Sequence, residues 1–465
     1  MSPQLAPRLA AGAAAVPSVG PAAPKQQRTT DVGVLLASGC GTAVAAVCAA
    51  GIVSITGSTP GLWALLAVLT AGGLAWLLAG CFARLAQAVP SRAGLLAYLG
   101  RGLGRHAALL LTLPYLLASL FLVGAEASVV GQLLARTLGG PVPAYAVGFL
   151  FFTWLLCRQG VRLSLRLQAL CTWLLLFALS GVALYVVADA AQRGLIVARL
   201  ARPAPSLVAF ITAVVQALFL FMGFELITSQ GEPVSAPTLR TALRGSVLLL
   251  TLFYGLLSVA LVASGLPAPH GATGPTLSTA AVPQLVLAEQ AAGRAAVWTI
   301  AGLSLLASYT SFNGALLAFS RLAAALAALG YLPRRVAQLD SHSLLPRQAL
   351  TALLLVGLLS TALVLRFDLL LPTILATAPL AALVYAGIAW AQQAPAFAAL
   401  SHPRGRRALG RTLAILLATI ALLSISALPT QPRLAHKVLG LIATAYAASL
   451  FALAAPTLRR IRGSR

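Results

Sequence analysis

Residues 207–229 read LVAFITAVVQALFLFMGFELITS, an apolar run with one charged side chain, Glu225, and a glycine, Gly223, two positions before it. At a rise of about 1.5 Å per residue, a helix of this length crosses the roughly 30 Å hydrocarbon core of a bilayer. Both unusual residues then fall inside the span, among Phe219, Phe221, Met222 and Phe224. A glycine in a helix interior costs about 1 kcal/mol relative to alanine and lets the backbone unwind. Unwound backbone is tolerated at this depth where it lines a cavity, and its free carbonyls and amides can then hold an ion or a zwitterion. The stretch predicts a membrane helix broken near its middle; the competing explanation of Gly223 is close helix packing by a small residue.

The same composition extends along the chain. Of its 465 residues, 60% are hydrophobic and 9% charged, whereas soluble domains carry about 25% charged residues. The chain reads as an all-α membrane protein of about twelve spans, at approximately 33–57, 62–83, 107–134, 144–161, 167–188, 207–229, 245–266, 295–319, 348–366, 370–394, 412–429 and 437–456. Residues 1–30, rich in Ala, Pro and Gln, show no apolar core after an early basic cluster, so a cleaved signal peptide is not expected and the segment reads as a disordered cytoplasmic tail. Residues 31–395 hold spans one to ten, and 396–465 the last two with a cytoplasmic C-terminal tail.

On this division 24 of the 32 Lys and Arg residues fall on the side of both termini; the other side holds Arg136, Arg193, Arg199, Arg202, Arg294, Arg366, Arg433 and Lys437. The positive-inside rule then places both termini of this multi-pass protein in the cytoplasm, and the inner, cytoplasmic membrane is its expected location. In a soluble protein a net charge of +24 would suggest nucleic acid; here the basic residues end apolar runs and report topology. The longest outer connection, 267–294, is either a lid over an outward vestibule or a plain surface loop.

Six of the eight acids, Asp31, Asp189, Glu232, Glu289, Asp340 and Asp368, lie in loops or at membrane edges, leaving Glu126 and Glu225 inside. A charged carboxylate near the bilayer centre costs at least about 2.5–3.5 kcal/mol, so such an acid usually faces a cavity, carries a proton or has a partner. Both are candidates for coupling. The first span carries a run of small residues, Ala45, Ala46, Ala49, Ala50 and Gly51, ahead of Ile52 and Val53. If five helices form one repeat, the first and sixth spans correspond, and two interrupted helices would face each other.

Catalytic constellations are poorly supported. His106, His270, His342, His402 and His436 are scattered without metal-site spacing, and neither a nucleophile elbow nor a phosphate-binding glycine loop occurs. Cys40, Cys48, Cys81, Cys157 and Cys171 fall in or at the ends of apolar runs, where free thiols are expected. No metal, cofactor, enzymatic activity or ATP-driven domain is expected.

Several motifs together resemble the amino acid-polyamine-organocation superfamily of secondary transporters, in particular bacterial amino acid permeases, over about 31–460. Phe221, Gly223, Phe224 and Glu225 look like the family's Phe-x-Gly-Phe-Glu signature, and Glu232, Val234 and Pro237 like its Glu-Glu-Val-x-Asn-Pro loop. Asn313, Ser320, Arg321, Ala327, Gly330, Leu332, Pro333 and Ala337 resemble the segment in which Ser-Arg precedes a Gly-x-Leu-Pro turn. Phe82, Ala83, Leu85, Pro90, Gly94 and Tyr98 match a third pattern, with Arg84 where an acid is usual. Ala49, Ala50, Gly51, Ile52 and Val53 occupy the place of Gly-Ser-Gly-Ile-Phe, and Leu175 stands where many relatives have a coupling lysine.

The resemblance implies a 5+5 inverted repeat with helices 1 and 6 broken at the midplane, plus two extra helices. It implies a substrate site of Ala49, Ala50, Gly51 and Ile52, whose amides accept a carboxylate, and of carbonyls near Phe219 to Met222, which accept an ammonium. Phe219, Phe221 or Phe224 would close over the ligand beside Gly223. Ser308, Ser311 and Asn313 form a candidate ion site with helix 1 carbonyls. The expected function is a permease moving amino acids by alternating access, proton-coupled through Glu225. A polyamine or organic-cation transporter or exchanger is the alternative of the same fold. A membrane-embedded enzyme or a non-transporting amino acid sensor are alternatives of other classes. The expected partners are a small-molecule substrate, a coupling ion and lipid, and not nucleic acid.

Overall fold

Without water to satisfy backbone amides and carbonyls, an apolar chain crosses lipid as helices or as a closed barrel. The computed structural model describes residues 32–89, 91, 93–159, 161–230, 234–265, 282–340, 345–400, 404–426 and 432–463, and these contain helices and no strand. The expected tail 1–30, most of the outer connection and Glu232 lie outside the described residues.

The helices are α1 (Val32–Ala43), α2 (Cys48–Ser58), α3 (Leu62–Ala88), α4 (Leu95–Leu103), α5 (Arg105–Leu138), α6 (Val142–Arg158), α7 (Val161–Gln192), α8 (Ile196–Leu200), α9 (Leu207–Phe221), α10 (Ile227–Gln230), α11 (Ala236–Ser264), α12 (Pro283–Ala328), α13 (Arg347–Phe367), α14 (Leu370–Ala391), α15 (Arg404–Ser426) and α16 (Pro432–Gly463). Among the described residues nine helical segments are long and apolar enough to cross a bilayer, ten when the bent pair α1 and α2 counts as one span. The expected twelve is therefore not reached by this measure: α6, with 17 residues, and α16 occupy the fourth and twelfth places outside the count.

Local chemistry sets several boundaries. The Ser206 hydroxyl accepts the Ala209 amide hydrogen at 3.2 Å to start α9. Ser235 does the same for Thr238 at 3.4 Å ahead of α11, which has proline in its first turn and ends at the left-handed Gly265. Side-chain oxygens at these caps satisfy amides that the helix cannot.

The first span turns by 64° between α1 and α2. The sixth stops at Phe221, passes Gly223 at φ +112°, and resumes as a 3-10 turn at Phe224–Leu226 followed by α10. A Cβ on Gly223 would lie 3.0 Å from the carbonyl carbon and oxygen of Thr42, so the two interruptions meet backbone to backbone. Around them, α3 packs on α9 and α11, α5 on α13 and α14, and α12 on α1 and α7. Large apolar side chains such as Phe151, Phe152, Leu170, Leu174 and Phe177 point outward, as lipid contact allows.

Candidate functional site

Interrupting a helix leaves amides at the new N-terminus and carbonyls at the old C-terminus without helical partners. In the first span the interruption covers Val44 to Val47. The amide of Ala46 donates to Glu126 Oε1 and that of Val47 to Oε2, both at 2.8 Å. The Ser308 hydroxyl of α12 also donates to Oε1. At the other side of the break the Thr42 carbonyl accepts the Ser311 hydroxyl at 2.9 Å, and the Ala43 carbonyl accepts Tyr254 at 3.1 Å.

In the sixth span Glu225 folds back on its own break. Its Oε2 accepts the Gly223 amide at 2.9 Å and the Tyr385 hydroxyl at 3.0 Å, and Oε1 accepts the Tyr115 hydroxyl at 2.6 Å. The carboxyl thereby ties α5 and α14 to the unwound segment.

A cavity of about 570 Å3, counting space open to solvent, lies between the breaks. Thr42, Val47, Tyr115, Ser119, Glu126 and Met222 line it, with Phe219, Phe312 and Phe319 as its aromatic walls and no Lys, Arg or His in the lining. Glu225 lines a second, smaller cavity of about 290 Å3 with Thr228 and Ser229. Phe319 and Leu226 border both.

Against this geometry, a family profile described as amino acid permease matches residues 35–451. The chain belongs to the amino acid permease family. Among solved structures, a mutant of the manganese transporter of Eremococcus coleocola aligns over 91% of this permease and 93% of its own chain, with 14% identity and a TM-score of 0.58. A Na+-coupled sialic acid symporter in a substrate-bound outward-open state aligns over 85% and 90%, with 12% identity and a TM-score of 0.51. At these identities the likeness is one of fold. No curated protein sequence matches significantly.

The permease distributes the sequence-derived candidates unevenly. Ala49, Ala50, Gly51 and Ile52 lie inside the first turns of α2, and the amides of Ala49, Ala50 and Gly51 bond to the carbonyls of Ala46 and Val47. The amides freed by the break belong to Ala46 and Val47 instead. Gly51 sits against Leu220 and Phe219. Of the three phenylalanines, Phe219 lines the cavity. Phe221 is buried edge-on to Tyr254, and Phe224 is edge-on to Phe82 and tilted against Tyr385, with centroids at 6.1, 5.8 and 6.4 Å.

Ser308 and Ser311 reach the first-span break, through Glu126 and the Thr42 carbonyl, whereas Asn313 bonds to α7, and each is already engaged. Asn313 donates to Gln168 Oε1 at 3.0 Å and accepts the Ser164 hydroxyl. Gln168 Nε2 donates to the Thr310 carbonyl at 2.9 Å, to Thr42 Oγ1 at 3.3 Å and to the Ser38 carbonyl at 3.4 Å. A neutral amide thus stands among helix 1 and α12 oxygens, whereas Leu175, two turns further along α7, is fully buried. Arg84, in the place of an acid, reaches Gln392 Oε1 at 2.6 Å.

Sequence reasoning missed Tyr115, Tyr385, Gln168, Phe312 and Phe319. The usable signal was a tyrosine or glutamine inside an apolar run, since a buried polar tip needs a partner.

Proposed function

We infer that this permease is a secondary active transporter moving a small solute with a protonated amino group, an amino acid or a related amine, across the cytoplasmic membrane by alternating access. The observation carrying the reading is the meeting of two broken helices, at Thr42 and Gly223, beside a cavity lined by an acid and no base. An ammonium suits such a lining because carboxylate, carbonyls and aromatic faces all attract it. Breaks in two spans also provide hinges on which half-helices tilt, opening the cavity to one side and then the other.

Glu225 is the coupling group in this reading. Protonating it puts a donor where the carboxylate offered an acceptor, which weakens or re-orients the hydrogen bonds it receives from Gly223, Tyr115 and Tyr385. Tyr115 also lines the cavity, so a solute resting on it acts on the same hydrogen bond. The uneven distribution of Lys and Arg supports cytoplasmic termini. Counterflow of labelled amino acids and amines in proteoliposomes tests transport, and binding without counterflow would favour a sensor. Uptake by Glu225→Gln tests coupling: an unchanged rate and pH profile removes Glu225 from the mechanism.

A further inference from the structure

A helix N-terminus is a seat for an anion, because its amides point outward and the helix dipole favours negative charge. At the start of α2 that seat is filled from within the protein. Glu126 spans it with one oxygen on the Ala46 amide and the other on the Val47 amide, and Ser308 holds the same carboxyl from α12. The following amides are also engaged: Cys48 bonds to Ala45, Ala49 to Ala46, and Ala50 and Gly51 to Val47. Every amide from Ala46 to Gly51 therefore has an acceptor before any solute arrives.

The cavity offers an incoming carboxylate no substitute. Its lining contains no Lys, Arg or His, and Glu126 itself belongs to the lining. A solute carboxylate would meet like charge without a compensating cation, which is how a site rejects a ligand. An ammonium meets the opposite conditions. Glu126 accepts three hydrogen bonds and a carboxylate has about four lone-pair sites. The hydroxyls of Tyr115 and Ser119 and the rings of Phe219, Phe312 and Phe319 complete an apolar, weakly polar-rimmed chamber.

We propose that Glu126 is a built-in replacement for the substrate's own carboxylate, so that the permease selects protonated amines lacking that group over the α-amino acids that correspond to them. The proposal rests on the transport reading above and narrows its substrate class.

The test uses matched pairs that differ by the carboxylate: isoamylamine and leucine, phenethylamine and phenylalanine, cadaverine and lysine. Affinity is read from thermal stabilisation of the purified protein, and movement from counterflow in proteoliposomes. In the unmodified protein at least one amine is expected to bind about tenfold or more tightly than its amino acid, since an unmatched charge in a desolvated site commonly discriminates by this much or more. Glu126→Ala uncovers the Ala46 and Val47 amides, and the preference is expected to shrink or reverse. Should that variant not fold, Glu126→Gln keeps the volume and removes the charge, and the amine preference is expected to fall by about fivefold or more.

An amino acid binding as tightly as its amine in every pair overturns the proposal, as does an amine preference unchanged in Glu126→Gln. Counterflow of amino acids alone overturns it while leaving the transporter reading in place. Absence of both stabilisation and counterflow for all six compounds removes the two together.

Discussion

Replacing Gly223 by alanine tests the feature on which the site depends. Gly223 has φ +112° and ψ −22°, a region that costs an L-residue about 1–2 kcal/mol. The added Cβ would stand 3.0 Å from the carbonyl carbon and oxygen of Thr42 and 3.1 Å from its Cγ2. Two of those atoms are backbone at the end of α1, so no rotamer change relieves the contact, and overpacking of this kind adds about 1–3 kcal/mol. The expected loss is roughly 2–5 kcal/mol, large against a total stability of about 5–15 kcal/mol. Gly148→Ala is the control. Gly148 lies within α6, has an ordinary φ, and a Cβ placed on it would meet nothing within 4 Å, so alanine there is expected to be neutral or to gain about 0.5–1 kcal/mol from helix propensity. Thermal unfolding of both variants in one detergent at one scan rate, with counterflow alongside, measures the difference. Equal midpoints and equal transport for Gly223→Ala and Gly148→Ala would refute the left-handed break and its contact with helix 1.

Tyr115→Phe and Tyr385→Phe each remove a donor from Glu225, at 2.6 and 3.0 Å. Each is expected to lower stability by about 1–3 kcal/mol, and the double variant to depart from additivity because both act on one carboxyl; additive shifts in thermal unfolding would count against a shared network. Phe221→Ala is expected to cost about 3–5 kcal/mol as a cavity in packed surroundings. Phe219→Ala, on the cavity wall, should change solute selectivity in competition uptake more than the Phe221 variant does at matched expression. Because Gln168 already fills the position among the Ser38, Thr42 and Thr310 oxygens, uptake is expected to proceed equally in sodium and choline media; a strict sodium requirement would contradict this.

The amino-acid order alone established that the chain crosses lipid repeatedly, left Gly223 as either an interruption of the sixth span or a packing residue, and singled out Glu126 and Glu225 as the acids within apolar spans. Transfer energy, helix length and glycine's backbone freedom act locally, and composition records them directly. It also indicated an interruption in the first span, from small residues, but put the exposed amides at Ala49 to Gly51. They belong to Ala46 and Val47, because the turn is held open by a carboxyl eighty positions away. Only the tertiary structure decided that partnership, the commitment of Gln168 to helix 1, and the choice of Phe219, rather than Phe221 or Phe224, to face the cavity beside Phe312 and Phe319. These outcomes depend on how each span is rotated about its axis and on its depth beside its neighbours. A helix that is apolar on all sides has no polar stripe from which that rotation can be read. The acids announce that they need partners, but the packing of distant helices chooses which donors those partners are.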